Sequence, residues 1–218
     1  KRGYTLRPCG LFSHRDVKGE LMKIRSTAAL VVVAGLGLAL SGCTYLGEVR
    51  AMKAFKDGNK LYAASDWRPA AEKYEEAIAM NPEFSVIYFY LGNSYDNMYR
   101  PARKGEPAND ALLEKAIANY KLASEKIDDP KLRNLALEYL VASYGPDKLN
   151  DPTLAEPVVQ RMIELAPGEP TNYFALAKIY EDSGENELAA ATLLKGKEAK
   201  PNGPAGHMQL AGTYDRQG

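Results

Sequence analysis

Histidine and cysteine are nearly missing from this chain: there are two of each in 218 residues. Neither type recurs at metal-ligand spacing, no glycine-rich phosphate loop is present, and no nucleophile elbow occurs. The acidic pairs Glu75-Glu76 and Asp128-Asp129 read as solvated helix surface and a helix end. The residues therefore point away from an enzyme and call for no metal or cofactor. Cys9 and Cys43 both lie near the start, so no disulfide frames the remainder. Net charge is lacking too, with 28 basic and 28 acidic residues. No apolar block reaches the roughly 20 residues that a membrane-spanning helix needs.

The longest uncharged apolar block, Ala28 to Leu40, covers 13 residues and comes after Met22-Lys23-Ile24-Arg25. Positive charge, a short apolar core and then small residues is the layout of a secretory signal. Its end, Leu40-Ser41-Gly42-Cys43, resembles the lipobox of bacterial lipoproteins. That resemblance implies that Cys43 takes a diacylglycerol thioether, that the signal 22–42 is removed, and that the new N-terminus is acylated. The competing reading is an ordinary signal with an incidental cysteine, which would leave a lone thiol in an oxidising compartment. Several acyl chains, at about 0.8 kcal/mol per buried methylene, would hold the product on a membrane. In two-membrane envelopes the family's inner-membrane retention signal is typically an aspartate after the cysteine. Thr44 therefore implies the outer membrane, facing the periplasm. Residues 1–21 fit this scheme poorly, and Lys18-Gly19-Glu20 can be encoded by a purine-rich run resembling a ribosome-binding site, so translation is expected to begin at Met22. Removal of residues 1–42 takes away seven basic and two acidic residues, leaving 21 and 26 and a formal charge of −5. An acidic chain of this kind is a poor nucleic-acid binder.

Beyond Cys43 the chain repeats itself. Gly58-Asn59 returns as Gly92-Asn93 after 34 residues. Leu176, Ala177, Tyr180 and Gly184 return as Leu210, Ala211, Tyr214 and Gly218, and Pro167 as Pro201, at the same offset. Ala70, Tyr74 and Ala77 map to Ala116, Tyr120 and Ala123 at 46 residues, which places a 12-residue insertion between Tyr95 and Ala116. The pattern resembles the tetratricopeptide repeat, a helix–turn–helix unit. The first repeat carries Gly58, Leu61, Ala70, Tyr74, Ala77 and Pro82 at the family's spacing. The fourth carries Tyr173, Leu176, Ala177, Tyr180, Gly184, Ala189 and Pro201. The resemblance implies an all-α, right-handed α-solenoid. A lipidated linker at 43–50 leads into repeats at about 51–84, 85–130, 131–169 and 170–203, with a truncated fifth at 204–218. Because a half repeat has no second helix to cover it, the natural protein is expected to continue past Gly218. Small residues at Gly58, Ala70 and Ala77 let paired helices approach closely, and a larger side chain at Ala77 should cost roughly 1–3 kcal/mol. Val141 and Met162 replace small residues in the third repeat and should spread that pair. His207 falls on a repeat helix, where packing is a better reading than catalysis.

In this family the first helices of the repeats line a concave groove. By register, that column contains Phe55, Asn59, Tyr62, Phe89, Asn93, Asp96, Glu138, Ala142, Phe174, Lys178, Glu181, Met208 and Asp215. Rings for apolar anchors and amides for a backbone would suit an extended peptide or amphipathic helix. The alternative is that the rings are buried between neighbouring helices. The carboxylate-clamp subtype does not fit. Asn59 and Asn93 match its asparagines, but Phe55 stands where a lysine is expected, and Glu138 and Ala142 replace a basic pair.

The insertion, about 99–109, reads YRPARKGEPAN and gathers Arg100, Arg103 and Lys104 on an otherwise acidic chain. It is either a docking loop for an acidic partner or lipid phosphate, or a tolerated surface loop. The functional expectation is a membrane-anchored interaction scaffold of the bacterial envelope. It would bind a protein partner, with no nucleic acid or small-molecule substrate. The alternatives are the adaptor region of a longer enzyme or signalling protein, or a groove that holds the chain's own C-terminal tail.

Overall fold

A computed structural model describes residues 46–199, and all regular structure among them is helical. Cys43, His14, His207, Met208, Asp215 and the fifth repeat lie outside the described residues. The helices are α1 (46–63), α2 (Trp67–Met80), α3 (Val86–Met98), α4 (Pro107–Lys126), α5 (Pro130–Tyr144), α6 (Pro152–Leu165), α7 (Pro170–Asp182) and α8 (Asn186–Ala199). Helix is already in place at residue 46, within the stretch expected as a linker. The compact unit that holds the repeats begins at Arg50. From α2 onward each helix packs chiefly against its neighbours in sequence, the arrangement of a solenoid.

Local chemistry starts and stops these helices. Proline, whose missing N–H costs nothing in a first turn, opens α4, α5, α6 and α7. Asp129 caps α5 by accepting from the Leu132 amide, and Asp151 caps α6 by accepting from Thr153 and Leu154. The turns of the first and fourth pairs are built alike. In one, Asp66 N–H donates to Leu61 O, and in the other Glu185 N–H donates to Tyr180 O. The residue before each donor has a left-handed backbone: Ser65 at φ 63° and Gly184 at φ 79°. The tyrosines Tyr88 and Tyr173 each donate to the proline carbonyl six residues back, Pro82 and Pro167, both at 3.0 Å.

The close approach expected of the small residues is present. Ala70, Tyr74 and Ala77 are fully buried, as are Ala116, Tyr120 and Ala123 one repeat later. A Cβ on Gly58 would stand 2.7 Å from the Tyr74 ring, and one on Gly92 2.9 Å from the Tyr120 ring. Each glycine is thus the recess into which the partner tyrosine packs. One core runs through the first three pairs, and a smaller one, built from Phe174, Ala177, Ala189 and Leu193, fills the fourth. In the third pair Met162 is buried, and a cleft of about 670 Å³ opens among α4, α5 and α6. Pro157 lies inside α6 and faces that cleft.

The insertion is only partly a loop. Ala70 is the fourth residue of α2, whereas its counterpart Ala116 is the tenth of α4. Half of the extra residues therefore lengthen α4, which reaches 20 residues where α2, α3 and α5 to α8 have 13–15. The remainder forms a bend around a 3-10 turn at Pro101–Arg103. Helix continuity is broken between Met98 and Pro107, and Pro107 opens α4.

Candidate functional site

Ring contacts join the first helices α1, α3 and α5 along one side, and the expected groove residues divide between packing and exposure. Phe89 and Phe174 retain 5% and 8% of their surface, so they are core residues rather than presented anchors. Phe89 lies against Tyr90, Tyr120 and Tyr139 at centroid distances of 5.5, 6.1 and 5.6 Å. Phe174 packs against α8, where a Cβ on Gly196 would come within 3.1 Å of its ring. Phe55 is half-buried among Tyr74, Phe84 and Tyr90. Of the two readings kept open for these rings, burial between helices describes Phe89 and Phe174.

The asparagines are also engaged. The Tyr74 hydroxyl donates to Asn59 Oδ1 at 2.7 Å. Asn93, 4% exposed, accepts at Oδ1 from the Tyr62 hydroxyl at 2.6 Å and from Asn97 Nδ2 at 2.8 Å. Tyr120 donates to Asp96 Oδ2 at 3.4 Å, and Asp96 meets Lys148 Nζ at 2.5 Å. Tyr62–Asn93 therefore links the first pair to the second, and Tyr120–Asp96–Lys148 links the second to the α5–α6 loop. Asn59 ties α1 to α2 within the first pair and Asn93 ties the first pair to the second, so their carbonyl oxygens are not held ready for a guest backbone. Burial raises the phenol pKa of Tyr74 and Tyr120 well above the ordinary tyrosine range, and the Asp96 carboxylate adds to the effect at Tyr120. Burial raises Tyr62 as well, with neighbouring Tyr139 and Tyr90 contributing. These phenols stay protonated donors at any physiological pH.

What the face does present is a row of half-buried tyrosines. Tyr62 from α1, Tyr90 from α3 and Tyr139 from α5 succeed one another across three repeats, with Tyr62–Tyr90 centroids 5.5 Å apart. Leu135, Glu138 and Ala142 are exposed on α5, and Glu138 accepts from Asn134 at 2.6 Å. Farther along, Lys178 is exposed and paired with Asp182, while Glu181 is half-buried. Tyr90 and Tyr139 were missed in the sequence. Each sits next to, or one turn from, a column position, and a repeat register does not say which of two adjacent rings turns outward. Among the described residues no group of histidine, cysteine or acidic side chains is placed to hold a metal ion.

The loop cations also separate. Arg100 Nη1 donates to the carbonyls of Asn97 and Tyr99, Arg103 pairs with Glu106 at 2.5 Å, and Lys104 Nζ reaches the Leu149 carbonyl at 3.4 Å. Asn109, 5% exposed, holds the bend: it accepts from the Arg100 amide and donates to the Arg100 and Arg103 carbonyls. No helix of the described residues is long and apolar enough to cross a membrane.

No protein-family model matches the chain. No curated protein matches it either. Among solved structures, it is similar to a crystal structure of MamA protein, at TM-score 0.57 and 19% identity, covering 76% of this chain and 81% of that one. A MamA fragment from Desulfovibrio magneticus RS-1 aligns at TM-score 0.56 and 14% identity, over 77% and 85% of the two chains. YrrB, described as a TPR protein with an unusual peptide-binding site, aligns at TM-score 0.50 and 18% identity, over 77% of each. At such identities the likeness speaks for the backbone arrangement alone. With the phased glycine, alanine and tyrosine positions, it establishes that the described part of this chain has a tetratricopeptide-like fold.

Proposed function

We propose that this protein is a protein–protein interaction scaffold that receives a peptide or helix on the face of its first helices. The observation that carries the reading is the row Tyr62, Tyr90 and Tyr139, half-buried on three successive first helices. Rings held on a rigid base offer apolar area at low entropic cost. The peptide-binding site named for YrrB, a chain of like fold, is consistent with this use. Asn59, Asn93, Phe89 and Phe174 act behind the face, as the frame that sets its spacing.

The anchoring half of the proposal rests on Leu40-Ser41-Gly42-Cys43 alone. In it, Cys43 carries the lipid, and the scaffold works at the bacterial envelope, with Thr44 favouring the periplasmic side of the outer membrane. An alternative role as adaptor region of a longer enzyme keeps the same face and differs only in the chain beyond residue 218.

The test places a photo-crosslinking side chain at Glu138, on the tyrosine face, and another at Glu114 on α4. A defined partner captured from Glu138 but not Glu114, and lost in Tyr90→Ala, supports the face. Equal capture from both positions overturns it. Separately, Cys43→Ser should abolish incorporation of an alkyne fatty acid, and unchanged labelling would overturn the anchor.

A further inference from the structure

The lengthened start of α4 builds a cleft that the repeat register gives no reason to expect. It measures about 340 Å³, at the lower end of ligand-pocket sizes of roughly 300–1,000 Å³. Its apolar lining is Trp67 from the start of α2, Met98 from the end of α3, and Leu112 from α4, all half-buried. Its charged lining is arginine alone: Arg68, Arg100 and Arg103. Arg68 comes from outside the insertion. Lys104 turns away to the Leu149 carbonyl and takes no part.

We propose that this cleft binds an acidic segment of a partner protein, with one apolar side chain seated on Trp67, Met98 and Leu112 and flanking carboxylates held by the arginines. Several independent features carry the proposal. The arginine-bearing bend is fixed from within: buried Asn109 makes three hydrogen bonds to its backbone, and Asp110 accepts from the Gly105 amide, whose φ is 93°. Arg100 is oriented by two carbonyls that its Nη1 donates to, which leaves its remaining N–H donors for a guest. Trp67 is braced edge-on by Tyr62 at 5.1 Å. Arg68 has no hydrogen bond or ion pair among the described residues, and Asp66, the N-cap residue of α2, is the acidic group next to it in sequence. Arg103 is partly answered by Glu106, so the site carries a restraining carboxylate of its own. Guanidinium forks match carboxylates in pairs, and the apolar floor between them asks for a side chain. A lipid headgroup would meet the arginines but leave that floor uncovered. The site is formed by other residues than the tyrosine face, and its occupant is independent of the one proposed there.

Trp67 is the single tryptophan of the chain, so its emission reports on this cleft directly. The experiment titrates the full chain with an acetylated, amidated heptapeptide in which a central leucine is flanked by acidic residues. A saturable change in Trp67 emission is expected with the acidic peptide and not with its glutamine counterpart, and it should weaken as salt rises. Arg68→Gln, at an exposed position without bonds to lose, should reduce affinity about tenfold. Glu106→Gln, which releases Arg103, should raise it about threefold. Vesicles of phosphatidylglycerol should leave the emission unchanged. The proposal is overturned by no response up to about millimolar peptide, or by equal affinity in Arg68→Gln. A response to vesicles but not peptide overturns it in favour of a lipid surface. A response to protein concentration alone overturns it in favour of a second copy of this chain.

Discussion

Lys148 leaves the α5–α6 loop to meet Asp96 on α3, and that contact fastens the loop to the second repeat. The two side chains are 20% and 10% exposed, and Nζ–Oδ1 is 2.5 Å. At an effective dielectric of about 20 the gross attraction at that distance is on the order of 6 kcal/mol, most of it offset by the cost of removing both ions from water. The asymmetry makes the test sharp. Lys148→Met keeps the stem volume but leaves Asp96 charged, nearly buried, and bonded only weakly to Tyr120 at 3.4 Å. That should cost about 3 kcal/mol, the lower end of the range for breaking a buried pair. Asp96→Asn should cost less, about 1–2 kcal/mol, because an amide oxygen still accepts from Lys148. The double variant should lose less than the sum, with a coupling of about 2 kcal/mol or more. Urea unfolding monitored by circular dichroism gives these values, and hydrogen exchange should show protection lost first in α5 and α6. Raising salt from about 0.05 to 0.5 M should hardly move the wild type, since burial shields the pair. If Lys148→Met costs under about 0.5 kcal/mol, the pair is a solvated surface contact and the loop does not fasten the repeats.

Three further outcomes are expected. Tyr74, Tyr95 and Tyr120 have phenol pKa values raised by burial above the unfolded value near 10, so their contribution is fully present below about pH 10 and is lost above it. Alkaline unfolding should therefore be cooperative, with tyrosinate absorbance at about 295 nm rising together with loss of helix, and Tyr120→Phe should flatten the slope. Gly92→Ala puts a methyl 2.9 Å from the Tyr120 ring and 3.2 Å from the Ala116 carbonyl. Despite alanine's better helix propensity it should lower stability by about 1–2 kcal/mol, measured as a urea midpoint. Ser65→Gly relieves a left-handed backbone at φ 63° in the turn where the fourth pair already uses Gly184. It should raise the melting temperature, by up to about 1 kcal/mol of stability, whereas a fall would mean the serine side chain contributes to the turn.

The helical pairing was legible in the residues because a repeat states the same packing requirement several times over. Gly58 and Gly92 recur with Tyr74 and Tyr120 because each recess needs its ring. Side-chain direction within the face was not legible. Phe89 and Tyr90 are adjacent on α3, and their share of exposure depends on Phe55, Tyr62 and Tyr139 arriving from other helices. The partners of Asn93 and Asp96 were equally hidden, since Tyr62 lies 31 residues away and Lys148 lies 52 away.

By itself, then, the amino-acid order determined that helices form, where they pair and which small residues lie at their crossings, because these depend on spacing along one chain. Only the tertiary structure decided which rings are walls and which are surface. It also split the insertion between bend and helix, and brought Arg68 and Trp67 beside Arg100. Those outcomes depend on which distant groups compete for the same volume and the same hydrogen bonds, and that competition is settled only when the helices are packed.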